Sequence, residues 1–266
     1  MAKTLLFYDR PVPLSREAHH GALFKSAPGN FSFARTTNSV PVAGVEFAAA
    51  ARDYPVVFSG SDANNTIPVA LVGLSQDENY FVDGAGRWQG AYVPAFVRRY
   101  PFVLAEKGDG QFTVCVDEAY PGFNAKDGEP LFDADGQERP FLKSTLDFLS
   151  EYQGRMQQTQ AFVKRLYEWE LLKPQVIRIA PKDKPAFVLQ GMLVVDEPRL
   201  LKLEDARLQT LFRNGELGWV YAHLISLGNL QRLSNRFDER QAVSAAAEAA
   251  PPPSASRAGG KRGRPN

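Results

Sequence analysis

The residues with the most to offer chemically lie between Gly84 and Tyr100, in the run GAGRWQGAYVPAFVRRY. Two adjacent guanidinium groups, Arg98 and Arg99, follow two large rings, Trp88 and Tyr92, across a glycine-rich turn. Aromatic faces and guanidinium forks together suit a planar or anionic ligand. Trp88, Tyr92, Arg98 and Arg99 are therefore the candidate ligand-binding residues. The competing reading of the same stretch is a turn of helix that packs Phe96 and Val97 while both arginines pair with carboxylates or face water.

The rest of the chemical inventory is sparse. The three histidines are the adjacent His19 and His20 and the distant His223. None has the spacing of a metal-binding pair, so no metal is expected. His19 and His20 read as solvated loop residues, and His223 as a packed or surface-paired residue within a helix. Cys115, the only cysteine, sits inside the apolar run Phe112 to Val116 and reads as a buried thiol in a reducing compartment. The acidic stretch Asp117 to Pro140 contains a fragment of a calcium loop at Asp133, Asp135 and Gly136, but Ser144 stands where the closing glutamate is required. Its carboxylates are expected to be solvated around a β-turn in a peripheral hairpin.

Gly84, Gly86 and Gly90 give GxGxxxG where a dinucleotide fingerprint needs GxGxxG, and Asp77 replaces the second glycine of a GxSxG elbow at Gly73 and Ser75. Phosphate-loop, CxxC and HExxH motifs are missing, so no cofactor is expected. Two classes of function stay open. One is a non-catalytic protein that binds a small molecule, a peptide or a protein partner. The other is an enzyme acting on a small molecule or peptide through the region of Trp88 and Arg99.

The elements that must position these groups follow from periodicity. Ile67 to Leu74 with Asn79 to Val82, and Pro101 to Ala105 with Phe112 to Val116, read as two successive hairpins. Tyr54 to Phe58, Val176 to Ile179 and Phe187 to Val195 read as further strands. Ala43 to Arg52 suits a short helix carrying Val45 and Phe47 inward. From Phe141 the apolar period changes to that of a helix, which spans Leu142 to Leu172 and stops at Pro174. A second helix covers Glu204 to Asn214 with Leu208, Leu211 and Phe212 inward, capped by Gly215, and a third covers Leu217 to Leu233. The expected fold is α+β: an antiparallel-rich mixed sheet, mainly from the N-terminal half, covered by a long helix and a C-terminal helix pair. Residues 1–40 read as an irregular arm anchored by Leu5, Phe7, Leu23, Phe24, Phe31 and Phe33. Residues 41–240 read as one domain and 241–266 as a disordered basic tail.

Composition excludes little. The chain has 266 residues, 44% of them hydrophobic and 23% charged, and a net charge of +1, which gives no whole-protein attraction to nucleic acid. Its first residues lack a secretory apolar stretch, and no run approaches the roughly 20 residues that span a bilayer. A cytoplasmic protein without a membrane span is expected.

The phrases PVALVGL, NYFVDGAGRWQGAYVPAFVRRYPF, PLFDADGQERPFL, GMLVVDE and LGWVYAHLISLGNLQRL resemble the SapC family of bacterial proteins. The most specific block runs through Gly86, Arg87, Trp88, Gly90, Tyr92, Pro94 and Arg99 to Phe102, and the likeness extends from about Pro41 to Leu233. It implies an accessory role in surface-layer or outer-membrane nutrient-uptake physiology, with surface association as a further implication. It supplies no catalytic residue.

The tail holds a last motif. Lys261, Arg262, Gly263 and Arg264, followed by Pro265, resemble the AT-hook of DNA-binding proteins, in which an extended Arg-Gly-Arg segment enters a narrow minor groove. From Arg240 onward five cations (Arg240, Arg257, Lys261, Arg262, Arg264) face one anion, Glu248, an excess of +4. A solubilising extension or a nonspecific polyanion contact explains the same charge. A hook predicts weak binding that prefers A-tract over G·C duplexes at low salt, weakens steeply with added salt, and disappears when Arg257 to Asn266 are deleted. Duplex titrations at two salt concentrations check it.

Overall fold

The computed structural model describes residues 6–108, 111–124, 126–179 and 186–249. The candidate hook residues, the anchor Leu5 and the connection from Pro181 to Pro185 lie outside them. Strands are β1 (Pro11–Pro13), β2 (Leu23–Phe24), β3 (Ser39–Pro41), β4 (Val56–Ser59), β5 (Ile67–Leu71), β6 (Phe102–Gly108), β7 (Gln111–Asp117), β8 (Glu129–Pro130), β9 (Leu172–Ile179) and β10 (Phe187–Val195). Helices are α1 (Arg16–His19), α2 (Phe47–Ala50), α3 (Ala95–Arg98), α4 (Pro140–Glu168), α5 (Glu197–Leu200), α6 (Asp205–Arg213), α7 (Glu216–Ser226) and α8 (Asn229–Ala249). No helix among the described residues is long and apolar enough to cross a membrane.

The fold is α+β, with every pairing between the named strands antiparallel. Where one main sheet was expected, the strands divide among three: β3-β5-β4-β10-β9, β1-β7-β6 and β2-β8. Val56, Val57 and Phe58 in β4 are all fully buried, as a short unbroken apolar run at the centre of a covered sheet should be. The hairpin of β6 and β7 forms as expected. The other does not: β5 pairs with β3 and β4, and Asn79 to Val82 instead bond to several segments, through Asn79 N–H to Arg35 O at 3.0 Å, Tyr80 N–H to Val72 O at 2.8 Å, Gln89 N–H to Phe81 O at 2.7 Å and an isolated bridge of Val82 with Trp88. The N-terminal segment, expected as an irregular arm, contributes strands. Its β1 adds to β7, β2 pairs with β8 and β3 with β5, so each of the three sheets contains a strand from it. Short apolar pairs such as Leu23-Phe24 become strands only when a distant partner presents its edge, and nothing local marks them.

Helix α4 begins with Pro140 at its first turn and buries Leu142, Leu149, Tyr152, Phe162, Val163 and Leu166 along one face. It ends at Glu168, before the expected Leu172, because Glu170 turns left-handed at φ 52° and the chain then enters β9. Pro174 lies within β9 and does not act as a helix stop; β9 is an edge strand, where a missing N–H is tolerated. Gly215 is left-handed at φ 74° as its position after α6 required. The expected third helix is broken at Leu227-Gly228, where Asn229 turns inward and donates to Ala51 O at 2.7 Å and Tyr54 O at 3.2 Å. Helix α8 then continues to Ala249, through the start of the expected tail, in keeping with the helix preference of its alanine run. Three apolar residues face out where they were expected to face in: Val45, Leu208 and Phe212.

Helix α7 is tied to the sheet by a histidine. His223 is fully buried, accepts the Val195 N–H on Nε2 at 3.1 Å and places Nδ1 2.8 Å from Val56 O, joining β10, β4 and α7. That pattern requires the neutral ring with its proton on Nδ1. Burial pushes its pKa down to about 4. The unfolded chain takes up this proton near the ordinary value of 6.5 and the folded one only near 4. Stability is therefore complete above about pH 6.5 and falls as pH drops toward 4. By pH 5 His223 should remove about 2 kcal/mol relative to pH 8. Urea unfolding across this range checks it, and His223→Gln, which cannot titrate, should lack that part of the slope.

Candidate functional site

A buried carboxylate assembles the region around Tyr92 and Arg98. Glu46 is 6% exposed, and its Oε2 accepts the Ala43 N–H at 2.8 Å. Its Oε1 accepts the Ala95 N–H at 2.7 Å, at the start of α3, and the Tyr92 hydroxyl at 2.7 Å. The turn Gly44–Glu46 is in turn fastened to α4 by the Gly44 N–H, which donates to Thr159 Oγ1 at 2.9 Å. A Cβ on Gly44 would lie 2.2 Å from the Trp219 ring, so only glycine lets α7 pack there. These bonds fix α3 against α4 with Arg98 at the boundary.

The wall opposite comes from the N-terminal segment. Phe24 stacks between Tyr120 and Phe141, at 5.3 and 4.9 Å between ring centroids, and Phe33 stacks on Tyr100 at 4.0 Å. The glycine-rich turn holds this segment down through the Phe31 N–H, which donates to Gly86 O at 2.7 Å. Gly86 has φ +82°, and a Cβ there would meet Ser32 Oγ at 2.3 Å. Between the two walls lies a cleft of about 380 Å³, lined by Phe24, Phe31, Phe141 and Phe148 and by the two arginines. A neighbouring cavity of about 500 Å³, between the Ala43–Ala49 stretch and α4, shares Arg98 and Phe148 with it.

The four predicted ligand-binding residues do not line one cavity. Arg98 is exposed; its Nε donates to Val93 O at 3.1 Å, and its guanidinium lies 5.2 Å from the Phe148 ring and 5.9 Å from that of Tyr92. No carboxylate pairs with it among the described residues. Arg99 reaches the same cleft but is held among the rings of Phe96 at 4.0 Å, Tyr152 at 5.4 Å and Tyr8 at 5.9 Å. Its Nε is buried without a hydrogen-bond partner. Tyr92 opens onto the second cavity. Trp88 lines neither: its Nε1 donates to Tyr54 Oη at 2.7 Å and its ring lies on Phe81 and edge-on to Phe31. Glu46, Phe148 and Tyr152 were missed in sequence because their isolated positions, far along the chain from Arg98, carry no motif.

The remaining titratable groups near the site serve the scaffold. Asp117 is fully buried and was wrongly expected in solvent; it accepts the Asp9, Arg10 and Ala119 N–H groups at 3.1, 2.9 and 3.0 Å. Asp133 likewise closes its own turn through the Asp135 and Gln137 N–H groups. His19 is buried rather than solvated, against Phe123 and 3.4 Å from Glu118, whereas His20 is exposed. Burial pushes the Tyr8 hydroxyl up to about 12, with Arg99 partly offsetting it, and burial with help from Glu46 does the same for Tyr92. Burial also raises Tyr100 and Tyr152, so the phenols around the cleft are neutral hydrogen-bond donors at physiological pH. No cluster of three or more metal-ligating side chains occurs among the described residues.

A family model described as SapC matches residues 14–233. The chain belongs to the SapC family. The match begins well before Pro41, in agreement with the strands that the N-terminal segment of this SapC protein contributes to its sheets. No curated protein and no solved structure matches the chain.

The two arginines should separate by experiment. Removing Arg99 empties a ring-lined niche and forfeits three cation–π contacts, so Arg99→Ala should cost about 1–3 kcal/mol. Arg98→Ala, at an exposed site, should cost under about 0.5 kcal/mol. Urea denaturation of the two variants beside the parent chain measures both.

Proposed function

We propose that this SapC protein is a non-catalytic binding protein whose ligand is a planar apolar anion seated in the 380 Å³ cleft with its acid group on Arg98. The observation that carries the reading is an exposed guanidinium, with no carboxylate partner among the described residues, lining an aromatic cleft. Ring faces supply area for a planar body, and the fork supplies a bidentate seat for an acid. The buried carboxylates support binding over catalysis, because Glu46 and Asp117 are committed to backbone N–H groups. An accessory role in surface-layer or outer-membrane nutrient-uptake physiology is the setting that the family suggests for such a protein.

A titration with 1-anilinonaphthalene-8-sulfonate, an aromatic sulfonate with a planar naphthalene body, tests the site. The parent chain should bind it with a rise in fluorescence. Arg98→Ala should bind about tenfold more weakly, the scale of one charge-assisted hydrogen bond, with an unchanged melting temperature. Equal binding by the two chains, or none by the parent, refutes the reading.

A further inference from the structure

The second cavity holds groups that the scaffold leaves unused. Tyr152 is 8% exposed and lines it, yet its hydroxyl makes no hydrogen bond to any described residue. A tyrosine hydroxyl at a cavity wall that no protein group engages keeps its donor free for a ligand. Of the two carboxylates that line the cavity, Glu46 already accepts three hydrogen bonds and Glu151 pairs with Arg155 at 3.5 Å. Beside Arg98, the donors that face a ligand there are thus Tyr152 and Arg155, the latter held by long contacts to Glu151 at 3.5 Å and Gln158 at 3.4 Å. The partition between the cavities is Arg98 lying over Phe148, two side chains that line both spaces. A ligand acid on Arg98 would sit at that partition, with its apolar body to one side and room for a substituent on the other.

We propose that this second cavity is a subsite read by the Tyr152 hydroxyl, and that the ligand is a planar apolar acid with a carbonyl or carboxamide arm reaching past Arg98. The inference rests on the cleft reading above and adds the chemical class of the arm. Donors on the protein side require acceptors on the ligand side, which a carbonyl oxygen provides. An aliphatic arm of equal length would leave Tyr152 unpaired.

Two fluorescent probes with the same naphthalene body and carboxylate decide it: dansyl-glutamine, whose arm ends in a carboxamide, and dansyl-norvaline, whose arm is aliphatic. The parent chain should bind dansyl-glutamine about five- to tenfold more tightly. Tyr152→Phe, which removes only the hydroxyl, should abolish that preference. Ala49→Leu, which fills part of the cavity from its other side, should abolish it by a different route and guards against a folding defect in the first variant. Equal affinity for both probes in the parent chain, or a preference that survives both substitutions, overturns the subsite and leaves the cleft standing. Failure of the parent chain to bind either probe overturns the cleft and the subsite together.

Discussion

Glu46 is almost entirely enclosed, and its two oxygens accept hydrogen bonds from Ala43, Ala95 and Tyr92. A carboxylate in such a place is tolerated only when its lone pairs are filled, and here two of the donors are backbone N–H groups that need a partner themselves. The consequence is geometric. The turn before α2 and the start of α3 are separated by about fifty residues, and one side chain holds them in register. Arg98, one turn further along, inherits its position from that register.

The aromatic cleft depends on this placement from one side and on the N-terminal segment from the other. Phe24, Phe31 and Phe33 reach it because β2 pairs with β8 and because Phe31 is fastened to the carbonyl of Gly86. The glycine-rich turn therefore serves the site indirectly. It does not display Trp88, whose indole N–H is spent on Tyr54; it lets another part of the chain approach closely enough to form a wall. The same use recurs at Asp117 and His223, titratable groups that the fold employs to pair backbone N–H groups.

Much of the architecture was legible. Alternating and helical periods separate the strands Val56–Ser59, Ile67–Leu71 and Phe187–Val195 from the long helix beginning at Pro140, and Gly215 marks a left-handed cap by its position alone. The site was legible only in part. Arg98 lines both cavities and Tyr92 the second one, whereas Trp88 and Arg99, which carry the same local signal of rings beside guanidinium groups, are held within aromatic packing. Local composition reports which groups are near in the chain and does not report which way they turn.

What the sequence by itself determined is the content of each element and the family to which the chain belongs, since periodicity, capping and motif are properties of neighbouring residues. The tertiary structure decided which strands share a sheet, that the N-terminal segment supplies strands to them, and that of the two arginines lining the cleft Arg98 is exposed while Arg99 is held among rings. The physical reason is distance along the chain. Pairings such as Glu46 with Ala95, or Phe24 with Phe141, are set by packing between segments far apart in sequence, and no local pattern encodes them.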